Sequence, residues 1–118
     1  MSEEKAPVSI TESDGVKIVE FTDRKILEEL SISEIGDTLA GLINAHPGIK
    51  LLLCFKGVDH LSSAALGVLI TLNKRVQEQN GVLKLSNITP QIYEVFKITR
   101  LNKLFDIRET MEDALRSF

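Results

Sequence analysis

Asp59, His60, Ser62 and Ser63 lie within one five-residue stretch, and their side-chain types suit three different chemistries. The first is nucleophilic catalysis, in which a histidine activates a serine while a carboxylate orients the histidine. That arrangement depends on geometry between groups arriving from separate directions, which neighbours crowded into one loop seldom achieve. No G-x-S-x-G elbow surrounds either serine. Gly57 is not followed by the second glycine and Lys-Ser/Thr of a phosphate-binding loop, and Gly67 falls inside a helical pattern. His46 and His60 are too isolated for metal-ligand spacing. The lone Cys54 can form neither an internal disulfide nor a metal cluster, and reads as a small buried hydrophobe. No catalytic residue, metal or cofactor is therefore expected.

Two chemistries remain for the serines. A hydroxyl at a helix start accepts a backbone N–H that has no helical partner. A hydroxyl at the same place, reachable from solvent, can instead receive a phosphoryl group, because free N–H donors and a positive dipole end face it. Residue types alone leave both uses open. Asp59, His60, Leu61, Ser62, Ser63 and Leu66 form the expected partner-binding surface, with His60 facing solvent and an apolar edge at Leu61 and Leu66.

The elements around this stretch are legible from their periods. Val8–Thr11 and Val16–Phe21 alternate with a period of two and are joined by Ser13-Asp14-Gly15, which predicts a hairpin with one buried face. Thr22–Leu30 fits a loop lying on the core or a short helical turn. Ser31-Ile32-Ser33-Glu34 fits a capping box, followed by Ile35, Leu39, Leu42 and Ile43 on one helical face. Ile49–Phe55 is apolar except at Lys50, as expected for a strand covered on both faces. A helix follows from about Ser62 to Asn80, with Gly81 as its stop, then a strand at Val82–Leu85. Thr89-Pro90 opens a further helix. A short strand at Phe105–Ile107 and a closing helix capped by Thr110 complete the order. Strand–helix–strand crossovers require parallel neighbours. The expected fold is therefore α/β, a mixed sheet of about four or five strands with helices packed on it.

At 118 residues with 43% hydrophobic content, the chain has the size of one domain, expected over residues 7–118 after a loose charged tail at residues 1–6. Its net charge of −3 gives no pull toward nucleic acid or anionic lipid. No run approaches the ~20 apolar residues that span a bilayer, so membrane insertion is not expected and a cytoplasmic location is.

Taken together, Lys50–Asp59, Ser62–Leu69, Gly81–Leu85 and Val95–Phe105 resemble the STAS domain family, shared by bacterial anti-sigma factor antagonists and the cytoplasmic tails of sulfate transporters. The resemblance covers nearly the whole chain apart from the tail and Thr22–Leu30. It implies a STAS-like sheet flanked by helices with a phosphorylatable serine at a loop–helix junction. Aligned on Ala65 and Leu66, Ser63 takes the phosphoacceptor position and Ser62 is the second choice. The chain departs from the family pattern in three places. Ser62 stands where an aspartate is common, Ala65 where glycine is usual, and Cys54 where the strand often ends in aspartate. The implied function is that of an anti-sigma factor antagonist without enzymatic activity. Unphosphorylated, it would sequester an anti-sigma factor that is also a serine kinase; a phosphatase acting on the phosphoserine would restore it. The alternative is a non-phosphorylated STAS scaffold subunit of a larger signalling or lipid-transport assembly.

Overall fold

The computed structural model describes residues 8–22, 25–26 and 29–118, with side chains described for 8–22 and 32–118. The expected tail, residues 1–6, lies outside them. Strands β1 (Val8–Ser13) and β2 (Val16–Phe21) form the predicted antiparallel hairpin, but not with the one buried face expected: no side chain of β1 is buried, and β2, an inner strand, is buried on both faces. Asp14 and Gly15 both take positive φ, 52° and 81°, as a tight turn between right-twisted strands requires. Lys25–Ile26, within the stretch expected as a loop or a helical turn, instead forms a short strand, β3. Helix α1 spans Glu29–Ala45. The expected capping box at Ser31 is therefore not the helix start, which comes two residues earlier.

Strand β4 (Lys50–Cys54) leads through a turn to the two-residue strand β5 (His60–Leu61), which pairs in parallel with β3. Helix α2 runs over Ser63–Glu78 and returns the chain to β6 (Val82–Ser86). Helix α3 (Pro90–Ile98) and a single 3-10 turn at Leu101–Lys103 lead to β7 (Asp106–Arg108), and α4 (Met111–Arg116) closes the chain. The main sheet has five strands in the order β1-β2-β4-β6-β7, with β2, β4, β6 and β7 mutually parallel.

Alternation along the strands divides the core between the two sheet faces. Val19, Leu51, Leu53, Leu83 and Leu85 pack on one face beneath Leu39 and Ile43 of α1, Leu69 and Val76 of α2, and Phe96 of α3. Phe21 and Phe55 pack there with their rings tilted by 40° and centroids 4.8 Å apart. Val16, Ile18 and Leu52 on the other face are covered by Ala114 of α4, joined by Met111, Leu115 and Phe118. Burial of each such side chain stabilises the fold by about 1.5–3 kcal/mol, the transfer value for a Leu- or Phe-sized group.

The end of α2 revises the role expected of Gly81. The left-handed residue is Asn80 (φ 63°), not the glycine. Asn80 N–H donates to Gln77 O at 3.1 Å and Gly81 N–H to Val76 O at 2.8 Å, the two bonds of a Schellman motif. Glycine is needed at position 81 for space. An added Cβ would lie 2.6 Å from Ile49 O, where the chain passes beside the start of β4.

Candidate functional site

Four parallel strands put all their C-terminal ends at one end of the sheet, and the junction between β4 and α2 lies there. After Cys54 the chain turns at Gly57 (φ 88°), and Val58 is fully buried with its N–H bonded to Phe55 O. Pairing with β3 then holds His60 and Leu61 extended, and Leu61 packs against the core. The loop is thus tied at both sides of the histidine before the helix begins.

Ser62 is the N-cap of α2, with φ −79° and ψ 165°. Its Oγ accepts the Ala65 N–H at 3.1 Å, and its carbonyl accepts the Leu66 N–H. Ser63 is the first helical residue and is exposed. No described residue hydrogen-bonds its hydroxyl. The two serines therefore differ in what their hydroxyls do. One hydroxyl is engaged in closing the helix, and the other is presented to solvent beside N–H groups of the first turn that have no helical acceptor. Such a position favours negative charge through those donors and the helix dipole.

Asp59 and His60 pair with each other rather than with the serines. His60 Nδ1 donates to Asp59 Oδ1 at 2.7 Å; a carboxylate only accepts, which fixes the proton on that nitrogen. The histidine side chain is 56% exposed. No described hydrogen bond joins the ring to Ser62 or Ser63, so the constellation has no nucleophile–base contact. Among the described residues, no group of three His, Cys, Asp or Glu side chains could hold a metal ion. Cys54 is 1% exposed, with Sγ 3.5 Å from Asn87 Oδ1, in the position of a buried small side chain. The apolar notch under Leu61, between Phe21 and Phe55 and the first turns of α1 and α2, measures about 10 Å³. That is room for about one water and not for a ligand.

One expected surface residue is corrected. Leu66 is 6% exposed and belongs to the main core, because it falls with Ala65, Leu69, Leu72 and Val76 on the side of α2 that turns toward the sheet. It cannot form a docking edge. The face of α2 that Ser63 shares runs instead through Ala64, Gly67, Ile70 and Thr71, all exposed. Counting four, seven and eight residues on from Ser63 would have found Gly67, Ile70 and Thr71 in the sequence. Ala64 and Gly67 border an open groove of about 520 Å³ whose other wall is Gly36, Asp37 and Ala40 of α1. The two helices approach closely here: a Cβ added to Gly36 would lie 3.3 Å from Val68 Cγ1.

Comparison with known proteins agrees with this architecture. The family model of the STAS domain matches residues 8–114. The anti-sigma-B factor antagonist of Bacillus subtilis is 35% identical over 72 residues, a match spanning 61% of this chain and 66% of the relative. The chain thus matches slightly less than two thirds of that protein's length. Among solved structures, an anti-sigma-factor antagonist (STAS) domain protein from Planctomyces limnophilus superposes with a TM-score of 0.85 at 22% identity, covering 97% of this chain and 98% of that one. The Bacillus cell fate determinant SpoIIAA in its phosphorylated form shares the fold with a TM-score of 0.70 at 14% identity, covering 93% of this chain and 97% of that one.

Proposed function

Because this chain belongs to the STAS domain family, we propose that it is an anti-sigma factor antagonist, a binding switch set by phosphorylation of Ser63. One observation carries the assignment of the site: of two adjacent hydroxyls, Ser62 is engaged as the cap and Ser63 is exposed without a described partner. The name of the Bacillus subtilis relative supports the class of function, and the phosphorylated SpoIIAA structure supports modification within this fold.

The unmodified protein holds an anti-sigma factor that is also a serine kinase, and the sigma factor is thereby freed. The contact surface is the exposed serine with Asp59, His60 and Leu61 on one side and Ala64 and Gly67 on the other. The small side chains of Ala64, Gly67 and Gly36 let a partner element lie close along the groove between α1 and α2. The kinase brings ATP and magnesium. Its base takes the Ser63 hydroxyl proton, Oγ bonds to the γ-phosphorus, and ADP leaves. A phosphatase returns the hydroxyl by hydrolysis. This chain itself performs no catalysis, and a partner using ATP places the cycle in the cytoplasm.

Phosphorylation adds about −1.5 to −2 charges at neutral pH. At the first helical position that charge is compatible with the fold, since the helix start favours an anion. Its effect falls on the partner, which fitted a neutral hydroxyl beside small side chains. A loss of ~3 kcal/mol in the complex lowers affinity more than a hundredfold. The experiment is incubation with the cognate kinase and ATP, followed by intact-mass measurement of wild type, Ser62→Ala and Ser63→Ala. One phosphate is expected on wild type and Ser62→Ala, and none on Ser63→Ala. Full incorporation into Ser63→Ala would overturn the assignment.

A further inference from the structure

The corner where α3 turns toward β7 has apolar side chains pointing outward. Ile98, the last residue of α3, is 78% exposed, and Leu104 is 43% exposed. Scattered exposed aliphatics are ordinary. These two are set among Lys97, Arg100 and Lys103, which recur at every third position and are all exposed. Between Val95 and Phe105 there is no acidic residue, whereas the whole chain carries a net charge of −3. The rest of the molecule thus holds six net negative charges.

These cations are poorly neutralised. Among the described residues, Arg100 and Lys103 form no ion pair, and Lys97 has only Glu94 at 3.8 Å, one helical turn back. The corner is fixed rather than loose. Arg100 takes φ +65° and donates its N–H to Lys97 O, Lys103 donates to Arg100 O, and Phe105 donates to Leu101 O.

We propose that this corner docks an acidic amphipathic segment of a second protein. Its carboxylates would face Lys97, Arg100 and Lys103, and its apolar side chains would cover Ile98 and Leu104. A short protein segment is favoured over a bilayer because it meets only the basic corner, whereas an extended anionic bilayer also faces the negative remainder of the molecule. Helix α3 starts at the C-terminal ends of the strands, and β7 begins directly after Phe105. The corner therefore lies at the opposite end of the sheet from Ser63. A partner held here need not be released when that serine is modified.

The test titrates isotope-labelled full-length protein with a short synthetic peptide of glutamate and leucine. The same peptide with lysine for glutamate, and vesicles of phosphatidylserine and phosphatidylcholine in equal parts, serve as the other two probes. The acidic peptide is expected to shift the amide resonances of residues 97–104. Arg100→Glu combined with Lys103→Glu, both exposed positions that leave the core untouched, should weaken it about tenfold or more. Ser63→Glu should bind within about twofold of wild type. No shift at the corner, an equal response to the lysine peptide, or binding to vesicles in place of the peptide would each overturn the proposal.

Discussion

Strands β4 and β6 both feed a helix whose first turn is closed by a hydroxyl N-cap, and the residue that follows the cap separates them. At α2, Ser62 Oγ accepts from Ala65 N–H at 3.1 Å. At α3, Thr89 Oγ1 accepts from Ile92 N–H at 3.4 Å and donates to Val58 O at 3.2 Å, so that this cap also ties the two junctions together. The first helical residue of α3 is Pro90, whose missing N–H and fixed φ suit that position. The corresponding residue of α2 is Ser63, and that of α4, capped by Thr110, is Met111. Capping accounts for one hydroxyl at the starts of α2, α3 and α4. It does not account for the second one at α2, which contributes nothing to the fold that proline or methionine would not.

That contrast can be broken or sharpened by experiment. The largest effect belongs to Ser63→Ala, which should abolish phosphate incorporation by the cognate kinase while leaving the melting temperature within about 1 °C of wild type. A clear loss of thermal stability would mean that Ser63 is structural, like its neighbour. Next comes Leu66→Ala, on the buried side of the same helical turn. Truncating this core residue should lower stability by about 2–5 kcal/mol in denaturant unfolding. A change well below that would place the first turn of α2 away from the core.

Strand β7 supplies a pH-dependent prediction. Burial pushes the Asp106 carboxyl up, but hydrogen bonds from Arg108 and the buried Lys84, with their charges, outweigh it and hold the group below its ordinary value of 3.8. A depressed folded-state value gives stability that is fully present above pH 3.8 and is lost as pH falls through the folded value. Asp106→Asn should remove that acid-side loss. Near neutral pH it should destabilise by ~2 kcal/mol, chiefly because Lys84 then lies buried without its partner. Unfolding curves for both proteins between neutral pH and acid check it; parallel pH dependences would refute it. Smaller still are the caps. Thr89→Ala, losing two hydrogen bonds, should cost about 1–2 kcal/mol and Ser62→Ala about 1 kcal/mol. The reverse order would show that the link from Thr89 to Val58 adds nothing.

Where one local rule dominated, sequence and structure agree. The Asp14-Gly15 turn, Thr89-Pro90 and Thr110 each carry their own signal, and the hairpin turn and the starts of α3 and α4 follow from them. Where tertiary contact decided, the sequence misled. Ser31-Ile32-Ser33-Glu34 has the composition of a capping box, yet the helix already runs through it from Glu29. Strand β3 is two residues long, too short for any period, and exists only because β5 lies beside it. Leu66 is apolar next to a polar loop, which suggested an exposed edge, but its rotation about α2 places it in the core. Gly81 looked like the usual left-handed helix stop. Asn80 takes that conformation, and the glycine makes room for the Ile49 carbonyl of a strand remote in sequence.

The two-residue ladder between β3 and β5 gives an upstream piece of chain control over how the hydroxyl is displayed. Lys25 and Ile26 set the line along which His60 and Leu61 enter α2. Under the proposed function, substitutions in that upstream piece would re-aim Ser63 toward a different kinase while both serines stay as they are. Such a change keeps the chemistry and exchanges only the angle at which it is offered.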